Sequence, residues 1–132
     1  MSTFTKIIRV TPPDLDELNH VNNVRYVQWV QEISKEHWKS QVSEATQQQI
    51  IWVVRNHNIT YYDSAVLGDV IEMSTEVLNW KGPISVRQVL MRNNKSGKTL
   101  VKAITEWCAL QAKTMKPVRV PTEIQQLFVR TE

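Results

Sequence analysis

Residues 14–33 (DLDELNHVNNVRYVQWVQEI) concentrate the side chains best suited to chemistry. Two carboxylates and an imidazole, Asp14, Asp16 and His20, share a polar loop over 14–22 that runs into a helical pattern. A helix start carries unpaired backbone N–H groups and a positive partial charge. Such a terminus stabilises negative charge developing on a carbonyl oxygen, while a carboxylate beside it serves as base or nucleophile. The combination points to hydrolysis or acyl transfer. A plainer reading stands beside it, because short polar loops before helices are common: Asp14 and Asp16 cap the loop and His20 packs.

The elements that would position these groups follow from periodicity. Residues 4–10 (FTKIIRV) read as a first strand, stopped by Pro12-Pro13. From about Asn23 to Lys39 the pattern is helical. Val27, Val30 and Ile33 share a stripe flanked by Tyr26 and Trp29, with Asn22 or Asn23 as N-cap. Residues 41–49 are a polar connection, after which the period changes to two. Strands are predicted over 50–62, 70–80, 84–92 and 98–112, separated by turns at Leu67-Gly68-Asp69, Lys81-Gly82-Pro83 and 93–97. A short helical turn is expected at 122–128. Short turns make successive strands antiparallel neighbours. One strand, one helix and four strands then give an α+β fold in which the sheet curls around the single long helix. The open sheet invites pairing with a second copy.

Length and composition bound the rest. The chain has 132 residues, room for one domain over 1–132. With 42% hydrophobic and 22% charged residues, it has a globular rather than a disordered composition. Gly68, Gly82 and Gly97 are too far apart for a phosphate-cradling loop. The single cysteine, Cys108, excludes a disulfide framework and reads as a small hydrophobe in a strand. The three histidines lack metal-ligand spacing, so no metal and no cofactor are expected. No apolar run suits a membrane span, and the start lacks the layout of a signal peptide, so a cytoplasmic protein without membrane attachment is expected. The net charge of +3 is concentrated in residues 67–132. That suits an anionic partner, or simply a solvated strand face. Nucleic acid is not expected, since no aromatic–basic motif occurs.

The stretch DLDELNHVNNVRYVQWVQ resembles the signature of hot dog-fold acyl thioesterases, both the 4-hydroxybenzoyl-CoA thioesterase-like group and the plant-type acyl-acyl-carrier-protein thioesterases. The later stretch HNITYYDSAVLGDVIEMSTEV is similar to that family's second strand, Gly-Asp turn and third strand. The resemblance implies a hot dog fold, a long helix wrapped by a five-stranded antiparallel sheet, paired into homodimers or homotetramers. It also implies hydrolysis of an acyl-CoA or acyl-carrier-protein thioester. By position, Asp16 matches the catalytic carboxylate, acting on water or attacking the thioester directly. Asn23 matches the residue whose backbone N–H polarises the carbonyl, and His20 matches the histidine of the plant-type motif. Leu18 stands where the plant enzymes have asparagine, and Asp63 lies near the position of their glutamate. Asp63 is a candidate helper in substrate binding, and Tyr61 and Asn58 are candidates to line the substrate pocket across the dimer.

Other candidates read as structural. His37 and His57 are isolated and suit packing or surface positions. The five tryptophans are core or interface mass, one or two of which would line an acyl tunnel. Lys81, Arg87 and Arg92 read as solvated charge before phosphate contacts. Two alternatives on the same fold are a hydratase/dehydratase and a non-catalytic acyl-binding protein. Against the hydratase, Asp16 and His20 stand four apart with Leu18 between, rather than five apart around an asparagine.

Overall fold

A computed structural model describes residues 3–129. Five strands, β1 (Thr3–Arg9), β2 (Ile50–Tyr61), β3 (Val70–Lys81), β4 (Ile84–Asn93) and β5 (Thr99–Gln111), form one antiparallel sheet in the order β1-β3-β4-β5-β2. The long helix α1 (Asn23–Gln41) lies against its inner face. The segment expected as a plain connection contains a short helix, α2 (Glu44–Gln49), capped by the Ser43 hydroxyl. Near the end, α3 (Thr122–Gln125) continues into a 3-10 turn, Gln126–Phe128.

Successive strands are neighbours for β3, β4 and β5, but not for β2 and β3. β2 pairs with β5 at one edge, and β3 pairs with β1 at the other. The connection over 62–69 is a crossing rather than a tight turn, and its hydrogen bonds trace the route. The N–H groups of Tyr62 and Asp63 donate to the carbonyl of Leu100, at 2.8 and 3.3 Å, near the start of β5. The Val21 N–H then donates to the Ala65 carbonyl at 2.9 Å, at the mouth of α1. Finally Gly68 and Asp69 bond the backbone of Val10 beyond β1. Residues 63–66 are thereby laid across the start of the helix.

The core divides into two clusters. At the N-terminal half of α1, Tyr26, Trp29, Val30 and Ile33 pack on Ile71 and Met73 of β3, Val89 and Met91 of β4, and Val101 and Ala103 of β5. Each buried Val, Ile or Met among them contributes on the order of 1.5–3 kcal/mol. At the far half, Trp38, Val42 and Phe128 pack with Trp52 and Trp80. Along the inner face, Trp52 and His57 both point inward despite their odd spacing. A bulge between Val54 and Asn56 inserts the extra residue that switches the alternation.

Arg87 departs from the expectation of a solvated charge. It lies on the inner face of β4, 5% exposed, where Nη1 donates to Thr75 Oγ1 at 3.1 Å and meets His37 Nδ1 at 2.8 Å. Burial pulls its pKa down to about 10, so it stays charged at neutral pH. His37 is a fully buried packing residue between Phe4 and Phe128, with ring centroids 5.5 and 5.0 Å away. Cys108 is half-buried in β5. Among the described residues no helix is long and apolar enough to cross a membrane.

Candidate functional site

The loop before α1 closes on Asp16. The Asp16 N–H donates to the His20 carbonyl at 2.8 Å, and the Asn19 N–H donates to the Asp16 carbonyl at 3.1 Å. Asn19 makes this reversal possible by taking φ +62°, a conformation asparagine tolerates better than most residues. The backbone N–H groups of Leu18 and His20 then converge on Asp16 Oδ1, at 2.9 and 3.2 Å. One carboxylate oxygen is anchored, and Oδ2 takes no hydrogen bond from the described residues. The side chain does cap its loop, as the plainer reading held, yet it keeps a free oxygen at the half-exposed surface.

Asn22, not Asn23, is the N-cap: its Oδ1 accepts from the Val24 N–H at 3.0 Å. The Arg25 N–H is taken by the Asn22 carbonyl at 2.8 Å. Asn23 is therefore the first helical residue, and its N–H has no acceptor among the described residues. An unfilled donor at the positive end of a 19-residue helix is the kind of group that receives an oxyanion.

Asp14 has a structural task. Its side chain is 8% exposed, and Arg25 Nε donates to Oδ1 at 2.8 Å. The Thr11 N–H and hydroxyl donate to Oδ2, at 2.8 and 3.1 Å. Burial alone would raise its pKa, but the Thr11 and Arg25 hydrogen bonds and the Arg25 charge outweigh that and hold the carboxyl below its ordinary range. Asp14 thus ties the loop to the helix; its sequence neighbour Asp16 is the one left open.

The crossing segment supplies the opposite wall. His20 forms an isolated backbone bridge with Val66, and the Ala65 N–H donates to the Tyr26 hydroxyl at 3.0 Å. His20 is exposed, and Asp63 lies within its electrostatic reach. Lys98 pairs with Asp63 at 2.9 Å and, with the Ser64 N–H, lowers the Asp63 pKa. Tyr61 packs its ring against Tyr26 at 5.8 Å, and burial raises its hydroxyl. Asp16, His20, Asn23, Tyr61 and Asp63 therefore gather at the start of α1. Within one chain Asn58 does not join them: it lies three residues before Tyr61 in β2, so alternation sends it to the opposite face. The Tyr26 hydroxyl, which pins the crossing segment, was missed because a stripe tyrosine reads as core mass. Leu18, Val24, Tyr62, Val66 and Leu67 neighbour these residues in the chain and are all exposed.

The sequence pattern of the thioesterase-like superfamily matches residues 10–128. The chain belongs to that superfamily. It is 36% identical over 83 residues to the acyl-CoA thioesterase YbgC of Haemophilus influenzae, a match spanning 62% of this chain and 59% of that protein. It is 29% identical over 108 residues to FATB3, a chloroplastic acyl-acyl-carrier-protein hydrolase of Cuphea viscosissima, covering 75% of this chain and 26% of that protein. The chain thus spans between about a quarter and three-fifths of the curated relatives it matches. Among solved structures, YbaW of Escherichia coli, a probable thioesterase, superposes with a TM-score of 0.82 at 25% identity, covering 93% of this chain and 94% of that one. The wrapped-helix architecture is accordingly the hot dog fold of thioesterases.

Proposed function

We propose that the protein hydrolyses an acyl-CoA or acyl-carrier-protein thioester to a carboxylic acid and a thiol. The observation that carries this reading is the pairing of an anchored, half-open carboxylate, Asp16, with the unfilled Asn23 N–H at the start of α1. The thioester carbonyl lies against the Asn23 N–H, which receives its oxygen as negative charge develops. Asp16 either draws a proton from the attacking water or attacks the carbonyl to give a mixed anhydride that water then opens. The carbon–sulfur bond breaks, and the thiolate leaves as the thiol once protonated. His20 orients water or substrate, and Asp63 and Tyr61 line the entrance. The exposed apolar side chains that neighbour the loop in the chain support an acyl rather than a polar substrate, and membership of the superfamily supports the reaction class.

On the same reading the protein works in the cytoplasm as a homodimer or homotetramer. The twelve-residue edge strand β2 leaves one side of its backbone unpaired, which a second copy would cover.

The test is thiol release from acyl-CoAs and acyl-carrier proteins, short to long and aromatic, with wild type and Asp16→Asn side by side. The variant should lose at least about a hundredfold in turnover, the scale of a positioned base, with its melting temperature little changed. Comparable turnover in the variant would remove Asp16 from the mechanism, and no release from any substrate would leave the acyl-binding alternative.

A further inference from the structure

At the far end of α1 from Asp16, the inner face of the sheet holds a pocket that shares no residue with the site above. Indoles form its walls, Trp38 from the helix and Trp52, Trp80 and Trp107 from three different strands, while Lys35 stands at its rim. Arg87 lines the same pocket and presents a guanidinium of which, among the described residues, only Nη1 is engaged, by His37 and Thr75. Among the described residues no carboxylate lies within 4.0 Å of Arg87, and none lines the pocket. A second deficit points the same way. Among the described residues, the indole N–H groups of Trp52 and Trp107 are buried without an acceptor. Trp107 is itself only 4% exposed.

Burying a cation without a counter-charge is costly, and buried donors without acceptors add to the cost. Everything unmet here is a donor or a positive charge. What would complete the pocket is an acceptor-rich anion, and a guanidinium fork matches a carboxylate in two parallel hydrogen bonds. The four indoles suit a flat apolar body. We propose that this pocket is a second binding site, for a small monocarboxylate with a flat apolar body, whose carboxylate is received by Arg87 and whose body lies among the indole rings.

The hollow measures about 300 Å³ with its open mouth, but its enclosed part is small. Such room suits about one water molecule. The occupant therefore parts the half-buried rings of Trp52 and Trp80 as it enters, and the indoles report its arrival.

Benzoate and neutral benzamide, titrated into the full-length protein, provide the test, followed through the indole N–H signals in ¹H–¹⁵N spectra. The Trp52 and Trp107 signals, assigned with Trp52→Phe and Trp107→Phe, should shift saturably with benzoate. Benzamide should bind at least about tenfold more weakly, the effect of losing one charge-assisted pairing. Arg87→Met should weaken benzoate by a similar factor, and Asp16→Asn should leave its binding unchanged, which separates this pocket from the thioester site. If Arg87→Met does not fold, Arg87→Lys replaces it, with the same required weakening, since a point charge lacks the fork. No saturable shift up to the solubility limit, equal binding of benzamide, or binding indifferent to Arg87 would each overturn the proposal.

Discussion

Asp14→Ala tests whether a buried carboxylate holds the loop that carries Asp16. The substitution leaves three donors without their acceptor: the Thr11 N–H, the Thr11 hydroxyl and Arg25 Nε. Breaking a fully buried ion pair costs about 3–5 kcal/mol. Here Thr11 is exposed and the Arg25 side chain is 34% exposed, so these groups regain much of their hydration. The expected loss is about 2 kcal/mol, or about 6–10 °C in melting temperature for a chain this size. The acid dependence gives a second readout. Because folding depresses the Asp14 pKa, its contribution is fully present above the ordinary value of 3.8 and is lost as pH falls through the lower folded value. Urea denaturation of both proteins should therefore show a gap that is full at neutral pH and closes in acid below pH 3.8. A gap under about 0.5 kcal/mol, the scatter of ordinary surface substitutions, or a gap that persists unchanged in acid, would refute this account of Asp14.

Other substitutions probe the same frame. Tyr26→Phe removes the hydroxyl that takes the Ala65 N–H; it should cost about 1–2 kcal/mol and raise KM for the thioester by loosening the crossing segment, as steady-state thiol release would show. Asn22→Ala removes the cap of α1 and should cost about 1 kcal/mol in urea denaturation, with a far smaller loss of turnover than Asp16→Asn. Phe128→Ala empties a site where the ring stacks 5.6 Å from Trp38 and is 1% exposed; calorimetry should record a loss of about 3–5 kcal/mol.

The site loop was legible because its geometry is local. Asp16, His20 and Asn23 lie within eight residues of chain, and the cap is written in the same few positions. The strand order was not legible, because the 62–69 connection resembles a turn until its bonds to Leu100, Val21 and Val10 are known. Arg87 looked like surface charge because its partners, His37 and Thr75, are 50 and 12 residues away and only folding assembles them. The bulge after Val54 carries no glycine to announce it, so period two alone would separate Trp52 from His57.

The Asp16 carboxylate is anchored by amides two and four residues further along its own chain, whereas the segment bridged to His20 and Tyr26 arrives from Ala65 and Val66, more than 40 residues beyond Asp16. On the proposed function, the reactive group and the surface that selects its cargo are separable inheritances. Substitutions in β2 or in the crossing segment can reshape what is admitted without re-aiming the carboxylate, so a lineage built on this loop can change its substrates while its catalyst stands still.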